Sequence, residues 1–333
     1  MDKENRYKAF EVKEKDGKFY HEIIDKKIGV LPESEVLIKV KYSSLNYKDA
    51  LSATGNRGVT RKYPHTPGID AAGVVEDSLN KNFKPGDEVI VTGYDLGMNT
   101  PGGYGQYISV PAEWIVSLPE GMSLKESMIF GTAGFTAGYA LEKLEAAELK
   151  PGMGEVLVTG ATGGVGSMSV AILSKCGYKV SASTGKSDKS EYLKSLGADT
   201  ILSREDVDDK SGRALLPTLW AGAIDTVGGN ILNTAIRSTN YTCSVVACGL
   251  TQSSDLIGTV YPFILRGVNL LGLSSSNCPM ELRTIIWNKL ATEWKPEVLD
   301  KIYSECSLEG LSEKIDLILK GKITGRVVVN LNN

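Results

Sequence analysis

The residues from 155 to 176 form the clearest chemical pattern in the chain. An apolar strand runs into the glycine-rich turn Gly160-Ala-Thr-Gly-Gly-Val-Gly166, and a helix follows over residues 166–176. Glycines let the backbone turn tightly and approach a pyrophosphate, which binds at the positive N-terminus of the helix. Ala161 replaces the first glycine of the usual G-x-G-x-x-G pattern. The pattern predicts a dinucleotide site, and a glycine turn of structural use alone is the alternative.

The end of the second strand, Tyr178–Ser183, predicts which dinucleotide binds. An NAD site has an acidic residue at this position to hold the ribose 2′-hydroxyl, and this sequence has none. Hydroxyl and ammonium groups here suit a 2′-phosphate, and we assign that role to Ser183, Thr184, Lys186 and Ser187. Asp188 is expected to cap the following helix. Arg204 either stacks on the adenine or is a solvated surface residue. NADPH is therefore the predicted cofactor.

The composition is that of a globular protein with room for two domains. The chain has 333 residues, of which 42% are hydrophobic, and its net charge of −3 gives no general attraction to nucleic acid or to anionic membranes. Four of the first six residues are charged, and no apolar run approaches the roughly 20 residues of a membrane span. The five cysteines are scattered, which favours free thiols in a reducing compartment. We expect a cytoplasmic protein without nucleic-acid or membrane partners.

The sequence also argues against a metal site. His21 and His65 are the only histidines, and neither has a cysteine or glutamate at ligand spacing. Zinc sites in proteins are usually built from clustered cysteine and histidine. We therefore expect no bound metal.

The pattern of elements predicts an α/β protein. Short strands between Gly/Pro turns dominate the first part of the chain, and from residue 126 strands alternate with helices, which predicts a doubly wound parallel sheet of the Rossmann type. A single strand at 325–330 has no expected neighbour in its own region, so we predict that it returns to the N-terminal sheet. The predicted domains are residues 1–125, residues 126–275 for the cofactor, and a return to the first domain over 276–333.

Six segments resemble the medium-chain dehydrogenase/reductase superfamily, and most closely its zinc-free, quinone oxidoreductase-like members of the acrylyl-CoA reductase branch. They are Ser43-Ser-Leu-Asn-Tyr-Lys-Asp-Ala-Leu51, Pro67-Gly-Ile-Asp-Ala-Ala-Gly73, Gly131-Thr-Ala-Gly-Phe-Thr-Ala137, Ala161-Thr-Gly-Gly-Val-Gly166, Trp220-Ala-Gly-Ala-Ile-Asp-Thr-Val-Gly228 and Pro262-Phe-Ile-Leu-Arg266. The resemblance implies a GroES-like, β-rich catalytic domain beside the Rossmann domain and a homodimer formed through the edge of the Rossmann sheet. Asn46 stands where zinc-dependent relatives have a cysteine ligand, and residues 94–102 lack the cysteines of their structural zinc lobe.

The same resemblance implies reduction of an activated double bond. Hydride would add to the β-carbon of a 2-enoyl thioester, and the α-carbon would then be protonated. Tyr47 is implied to be the acid with Asn46 orienting it, or else Tyr47 only lines the cofactor pocket and a water supplies the proton. Asp70 either orders this pocket through hydrogen bonds or is a turn residue after Gly68.

The resemblance further implies a set of contacts to the cofactor and substrate. Cofactor contacts are assigned to Tyr47, Gly163, Gly164, Val165, Gly166, Ser167, Met168, Ser190, Leu250, Ile264, Ser275 and Arg326. For Ile264 a core position is the alternative. Arg57, Arg61 and Lys62 could contact the phosphates of coenzyme A, or they belong to a solvated loop.

Three functions therefore remain after the sequence has been considered. The leading one is NADPH-dependent reduction of acrylyl-CoA or a similar short 2-enoyl-CoA without a metal. The second is an NADPH quinone or enone oxidoreductase on the same scaffold, because an electron-poor alkene is all that the hydride requires. The third is a sensor that binds NADPH without turnover.

Overall fold

The computed structural model describes residues 4–332, and these residues form two compact units. Unit 1 contains the residues up to Thr132, Ser276–Asn288 and the residues from Tyr303 on, whereas unit 2 contains Ala133–Ser275 and Lys289–Ile302. The units differ from the expected domains in two places, because residues 126–132 group with unit 1 and residues 289–302 group with unit 2. There Lys289 pairs with Glu142 at 2.7 Å.

The elements follow one another in this order along the chain. The strands are β1 (Arg6–Lys15), β2 (Lys18–Lys27), β3 (Val36–Ser44), β4 (Asp70–Ser78), β5 (Glu88–Thr92), β6 (Tyr107–Val110), β7 (Ile115–Ser117), β8 (Glu155–Val158), β9 (Lys179–Thr184), β10 (Thr200–Ser203), β11 (Trp220–Asp225), β12 (Thr239–Ala247), β13 (Asn269–Gly272), β14 (Tyr303–Cys306) and β15 (Arg326–Asn330). The helices are α1 (Tyr47–Ala53), α2 (Leu124–Ala146), α3 (Gly164–Lys175), α4 (Ser190–Ser195), α5 (Gly229–Ser238), α6 (Tyr261–Arg266), α7 (Met280–Ala291), α8 (Leu299–Ile302) and α9 (Leu311–Leu319).

Unit 1 is built on a mixed sheet with the strand order β14-β15-β3-β4-β5-β7, and β6 also pairs with β3. Its core takes alternate residues of β3, Val36, Ile38 and Val40, which are buried as the period-two pattern requires. β15 pairs antiparallel with β3, so the last strand returns to the N-terminal sheet as predicted. The expectation that this strand has no neighbour in its own region was wrong, because β14 pairs with it in parallel.

Unit 2 contains the predicted Rossmann sheet. Its strands are parallel and lie in the order β10-β9-β8-β11-β12-β13. The order reverses between β8 and β11, and ligands of such sheets bind at the carboxyl ends of the strands beside this switch point. Val156, Leu157 and Val158 of β8 are all fully buried, because helices cover both faces of a parallel sheet.

Helix α2 bends sharply at Gly131, where the backbone has φ 50° and ψ −158°. This conformation is open essentially to glycine alone. No helix within residues 4–332 combines the length and apolar character that a membrane span requires.

The cysteines of the described chain are free thiols. Burial raises the pKa of Cys176 and of Cys248 to about 12 and that of Cys306 to about 11. Cys243 and Cys278 are buried as well.

Candidate cofactor and active site

The glycine turn of unit 2 lies between β8 and the N-terminus of α3, as the sequence predicts. A Cβ atom at Gly166 would lie 2.3 Å from the carbonyl oxygen of Gly160, so no side chain fits where the helix meets the turn. Gly163 precedes the helix in extended conformation, with φ −78° and ψ 176°. The helix can therefore begin directly against the turn, and the backbone N–H groups of its first turn, from Gly164 and Val165, are of the kind that binds anions at helix N-termini.

Two residues assigned to the cofactor from the sequence have other functions in the structure. The backbone N–H of Ser167 donates to Gly163 O at 2.8 Å, and its hydroxyl donates to Ala161 O at 3.1 Å. Met168 has no exposed surface. Both predicted contacts are therefore corrected, because these groups are already used inside unit 2.

A hydroxyl pair that the sequence did not reveal supports the same turn. The phenol of Tyr192, on α4, donates to Ser167 Oγ at 3.0 Å. This contact links α4 to the first turn of α3. The sequence carries no signal for it, because 25 residues separate the two side chains.

The hydroxyls at the tip of β9 are not free for a 2′-phosphate. Ser183 is buried and its hydroxyl donates to Ser203 O at 3.2 Å. Thr184 is buried too, and its hydroxyl lies 3.1 Å from that of Thr162. The predicted phosphate contacts of Ser183 and Thr184 are corrected accordingly, because both hydroxyls hold neighbouring segments together.

The same tip also carries two cationic residues, Lys186 and Arg204. Burial and the nearby Lys189 lower the pKa of Lys186, as expected for an ammonium group that is partly removed from water. Arg204 is exposed, and its guanidinium lies against Gly185, where an added Cβ would be 3.3 Å from Nη2. Lys186 and Arg204 thus place positive charge at the position where an NAD site has an acid.

The residues that follow Lys186 complete the tip of β9. Ser187 is exposed, and Ser190 Oγ donates to Ser187 O at 3.2 Å. Asp188 pairs with Lys189 at 3.0 Å and lies in a 3-10 turn without a capping hydrogen bond. The predicted helix cap at Asp188 was therefore wrong.

The three predicted cofactor contacts that follow β12 in the chain differ in solvent exposure. Leu250 follows β12 and is 66% exposed, and Ile264 of α6 is 67% exposed. The structure excludes a core position for Ile264. Ser275 lies half-buried after β13.

In unit 1 the predicted reactive residue is accessible. Tyr47 is the first residue of α1, and its side chain is half exposed. Asn46 does not orient it through the amide: Asn46 Nδ2 donates to Asp70 Oδ2 at 2.7 Å, and Asn46 Oδ1 accepts from Arg326 Nη1 at 3.1 Å. The predicted contact is corrected, and Asn46 instead fixes the start of α1.

Asp70 is a hydrogen-bond hub and not a turn residue. It begins β4, has no exposed surface, and accepts hydrogen bonds from Ser44 Oγ at 2.5 Å and from the amide of Asn46. Thr132 donates to it twice, from its backbone N at 2.9 Å and from its hydroxyl at 2.5 Å. Of the two interpretations of Asp70, the structure supports the ordering function.

Arg326 completes this buried network. Its guanidinium donates to Ile129 O at 3.1 Å, to Leu45 O at 3.3 Å and to Ser44 Oγ at 2.8 Å. Its Nη2 lies 3.8 Å from Asp70 Oδ2, and the side chain is 3% exposed. The predicted contact of the Arg326 side chain with the cofactor is corrected, because its donors are directed into unit 1.

A second carboxyl group lies beside the network. Asp49 is fully buried and accepts hydrogen bonds from the backbone N–H groups of Asn46 and Ile69, both at 2.8 Å. Burial, and then the charge of Asp70, raise the pKa of Asp49 to about 7. Asp49, Ser44 and Thr132 were not singled out from the sequence, because no local pattern distinguishes them from their neighbours.

The basic loop of unit 1 is only partly free. Arg57 pairs with Glu14 at 2.6 Å and donates to Arg61 O at 2.8 Å, so its predicted contact with coenzyme A is corrected. Arg61 and Lys62 are exposed. Across residues 4–332, no three His, Cys, Asp or Glu side chains are grouped closely enough to hold a metal ion.

Two domain families match the chain. The alcohol dehydrogenase GroES-like domain matches residues 32–120, and the zinc-binding dehydrogenase family matches residues 164–292. A putative quinone oxidoreductase of Bacillus subtilis is 48% identical over 302 residues, 90% of this chain and 92% of the relative. An acrylyl-CoA reductase of Ruegeria pomeroyi is 45% identical over 302 residues, 91% and 92% of the two chains.

Solved structures agree with these matches. An oxidoreductase of Salmonella enterica in complex with NADP is 41% identical with a TM-score of 0.95, and the match covers 98% of this chain and 100% of the other. A Bacillus subtilis protein with NAD bound is 45% identical with a TM-score of 0.96 and the same coverage. The fold class predicted from the sequence is confirmed.

Proposed function

The chain belongs to the medium-chain dehydrogenase/reductase superfamily, and on that premise we propose that it uses NADPH to reduce the activated C=C bond of acrylyl-CoA or a similar short 2-enoyl-CoA. The observation that carries the choice of cofactor is the tip of β9, where Lys186 and Arg204 lie and where the carboxylate of Asp188 is paired with Lys189. A 2′-phosphate is bound by such cations, whereas the 2′-hydroxyl of NADH is held by a carboxylate.

The residues of unit 2 fit a bound dinucleotide. A Cβ atom at Gly166 would lie 2.3 Å from Gly160 O, so glycine at this position lets α3 begin directly against the turn and direct the backbone N–H groups of Gly164 and Val165 toward a pyrophosphate. Bound NADPH supplies the hydride. Leu250, Ile264 and Ser275 are proposed to contact the nicotinamide, and Ser187 and Ser190 to lie near the adenosine phosphate.

Tyr47 is the proposed proton donor of unit 1. The β-carbon of the enoyl thioester gains a hydride, negative charge develops on the thioester oxygen, and the α-carbon then takes the phenolic proton, which leaves a saturated thioester. Asn46 and Asp70 hold the first residues of α1, and therefore the backbone of Tyr47, through the buried network. Arg61 and Lys62, both exposed, are proposed contacts for the phosphates of coenzyme A.

We also propose a metal-free, cytoplasmic homodimer. The absence of a metal is supported at Asn46, which stands where zinc-dependent relatives have a cysteine ligand. Its side-chain amide hydrogen bonds to Asp70 instead. The dimer is supported by the position of β13 at the edge of the Rossmann sheet and by the exposed apolar side chains of Tyr261 and Leu265 on α6, which precedes β13 in the chain. Light scattering of the purified protein measures its molar mass and tests this proposal. The mass of a monomer would overturn it.

Initial-rate NADPH oxidation tests the function. Purified protein is assayed with acrylyl-CoA and, in matched reactions, with 1,4-benzoquinone, and NADH replaces NADPH as donor in a third set. Fast turnover of the thioester with NADPH is expected, and Tyr47→Phe should then lower kcat more than it raises the KM for NADPH. Preference for the quinone would establish the alternative function, which the 48% identical relative favours. NADPH binding without turnover of either acceptor would indicate a sensor.

A further inference from the structure

Asp225 ends β11 at the carboxyl edge of the Rossmann sheet and has no exposed surface. The proposed reaction does not use this carboxyl group. We propose that Asp225 is a positioning residue that holds the pyrophosphate-binding turn and the loop of residues 248–252 in one fixed arrangement, so that both ends of the dinucleotide are bound in register for hydride transfer. This inference rests on the function proposed above.

The first set of contacts leads to the turn. Asp225 Oδ1 accepts a hydrogen bond from Thr159 Oγ1 at 2.7 Å, and Thr159 directly precedes Gly160. Thr226 forms two further hydrogen bonds with Thr159. Its N–H donates to Thr159 Oγ1 at 3.0 Å, and its hydroxyl donates to Thr159 O at 2.8 Å. A Cβ atom at Gly160 would lie 2.3 Å from Thr226 Oγ1. The turn therefore packs directly on the end of β11.

The second set of contacts leads to the loop. The backbone oxygen of Asp225 accepts from Cys248 N at 2.9 Å and from the Cys248 thiol at 3.2 Å. Gln252 N donates to Val227 O at 2.9 Å. Leu250, the proposed nicotinamide contact, lies between these two anchors and is itself largely exposed. The backbone hydrogen bonds of Cys248 and Gln252 therefore determine the position of Leu250.

The side-chain carboxylate of Asp225 links the contacts of the turn to those of the loop. Asp225 Oδ2 accepts from Gly228 N at 2.7 Å and thereby fixes the backbone of residues 226–228, to which the loop is bonded. An asparagine has one acceptor oxygen and would turn an NH2 group toward either Thr159 or Gly228. Burial raises the pKa of Asp225, and its hydrogen bonds from Thr159, Gly228 and Val227 oppose that shift.

The test compares Asp225→Asn with Asp199→Asn in the otherwise unchanged protein. Asp199 is an exposed control carboxylate outside this network, because it accepts a backbone hydrogen bond from Val180 at 2.8 Å near the first residue of β9 in the same unit. Four quantities are measured: the Kd for NADPH from its fluorescence, kcat, the kinetic isotope effect on kcat with NADPH deuterated at the transferred position, and the melting temperature.

For Asp225→Asn we expect a Kd for NADPH raised at least fivefold, a kcat lowered at least tenfold, and a larger isotope effect, while Asp199→Asn stays within twofold of the wild type. A purely structural function would lower the melting temperature and leave the isotope effect and Kd unchanged, which would overturn the proposal. If Asp225→Asn does not fold, Thr159→Val, which removes the donor to Oδ1 together with the acceptor of the Thr226 N–H, must show the same changes. If the wild type shows no turnover, the proposed function is refuted. The Kd for NADPH of Asp225→Asn, compared with that of Asp199→Asn, then still tests whether Asp225 positions the cofactor site.

Discussion

Replacing Gly131 by alanine should destabilise unit 1 severely, since the residue is enclosed by the buried network. An added Cβ would lie 2.4 Å from Ser44 Oγ and 2.6 Å from both Arg326 Nη2 and Asp70 Oδ2. Real Cβ atoms do not approach heavy atoms so closely. The three polar groups cannot retreat easily, because all are buried and Ser44 bonds to both Asp70 and Arg326.

The size of the effect has two parts. The backbone conformation at Gly131 costs a non-glycine residue about 1–3 kcal/mol. Separating the Asp70–Arg326 pair leaves an uncompensated buried charge, at about 3–5 kcal/mol. Together they give about 5 kcal/mol, and each kcal/mol lowers the melting temperature of a unit of this size by about 2–4 °C. Gly131→Ala should therefore melt about 15 °C below the wild type.

Gly321→Ala is the matched control for this experiment. Gly321 also has a positive φ, +65°, and nothing lies within 4 Å of its Cβ position. Its substitution should cost only about 1–2 kcal/mol of backbone strain. Differential scanning calorimetry of both variants measures the difference. If Gly131→Ala melts within about 3 °C of Gly321→Ala, the network is not the rigid enclosure described above.

Three further predictions concern single side chains. Asp70→Asn should lower the free energy of unfolding by about 3–5 kcal/mol, because Arg326 loses its buried counter-charge, and a loss below 1 kcal/mol in thermal unfolding would contradict this. Asp49 has a folded pKa of about 7, above its ordinary 3.8, so its contribution to stability is complete below about pH 4 and is lost as the pH rises to 7. Asp49→Asn should remove a decline of about 1.4 kcal/mol per pH unit from unfolding measured between pH 4 and 7, and an unchanged slope would refute the assignment. Arg204→Ala should raise the KM for NADPH about tenfold with little change for NADH, since a charged hydrogen bond contributes about 1.5–3 kcal/mol; equal effects on both would remove Arg204 from the phosphate site.

The Rossmann sheet could be predicted because its signals are local. β8, the glycine turn and α3 follow each other without interruption, and the apolar residues of each strand lie next to one another in the sequence. β14 was missed because Tyr303-Ser-Glu-Cys306 is a four-residue, largely polar edge strand. Its alternation is too short to be distinguished from a loop.

The side-chain contacts of the site were predicted less well, for a different reason. A hydroxyl such as that of Ser183 can face a ligand or a neighbouring strand, and the sequence does not state which partner is nearer. Asp70 was singled out by its position in the family pattern, but Ser44 and Thr132 reach it from segments 26 and 62 residues away. Arg326, 256 positions further along the chain, joins them only through the pairing of β15 with β3.

The protonated thiols have a consequence for an enzyme of the proposed kind. Enoyl thioesters and quinones are electrophiles that alkylate thiolates, and a cysteine with a pKa of 8.5 is a few per cent thiolate at pH 7. With a pKa of about 12, the thiolate fraction of Cys176 and Cys248 is on the order of 10⁻⁵. A raised pKa thus lowers the reactivity of these thiols toward electrophiles of the proposed substrate class, and this matters most for Cys248, which lies two residues from the proposed nicotinamide contact Leu250.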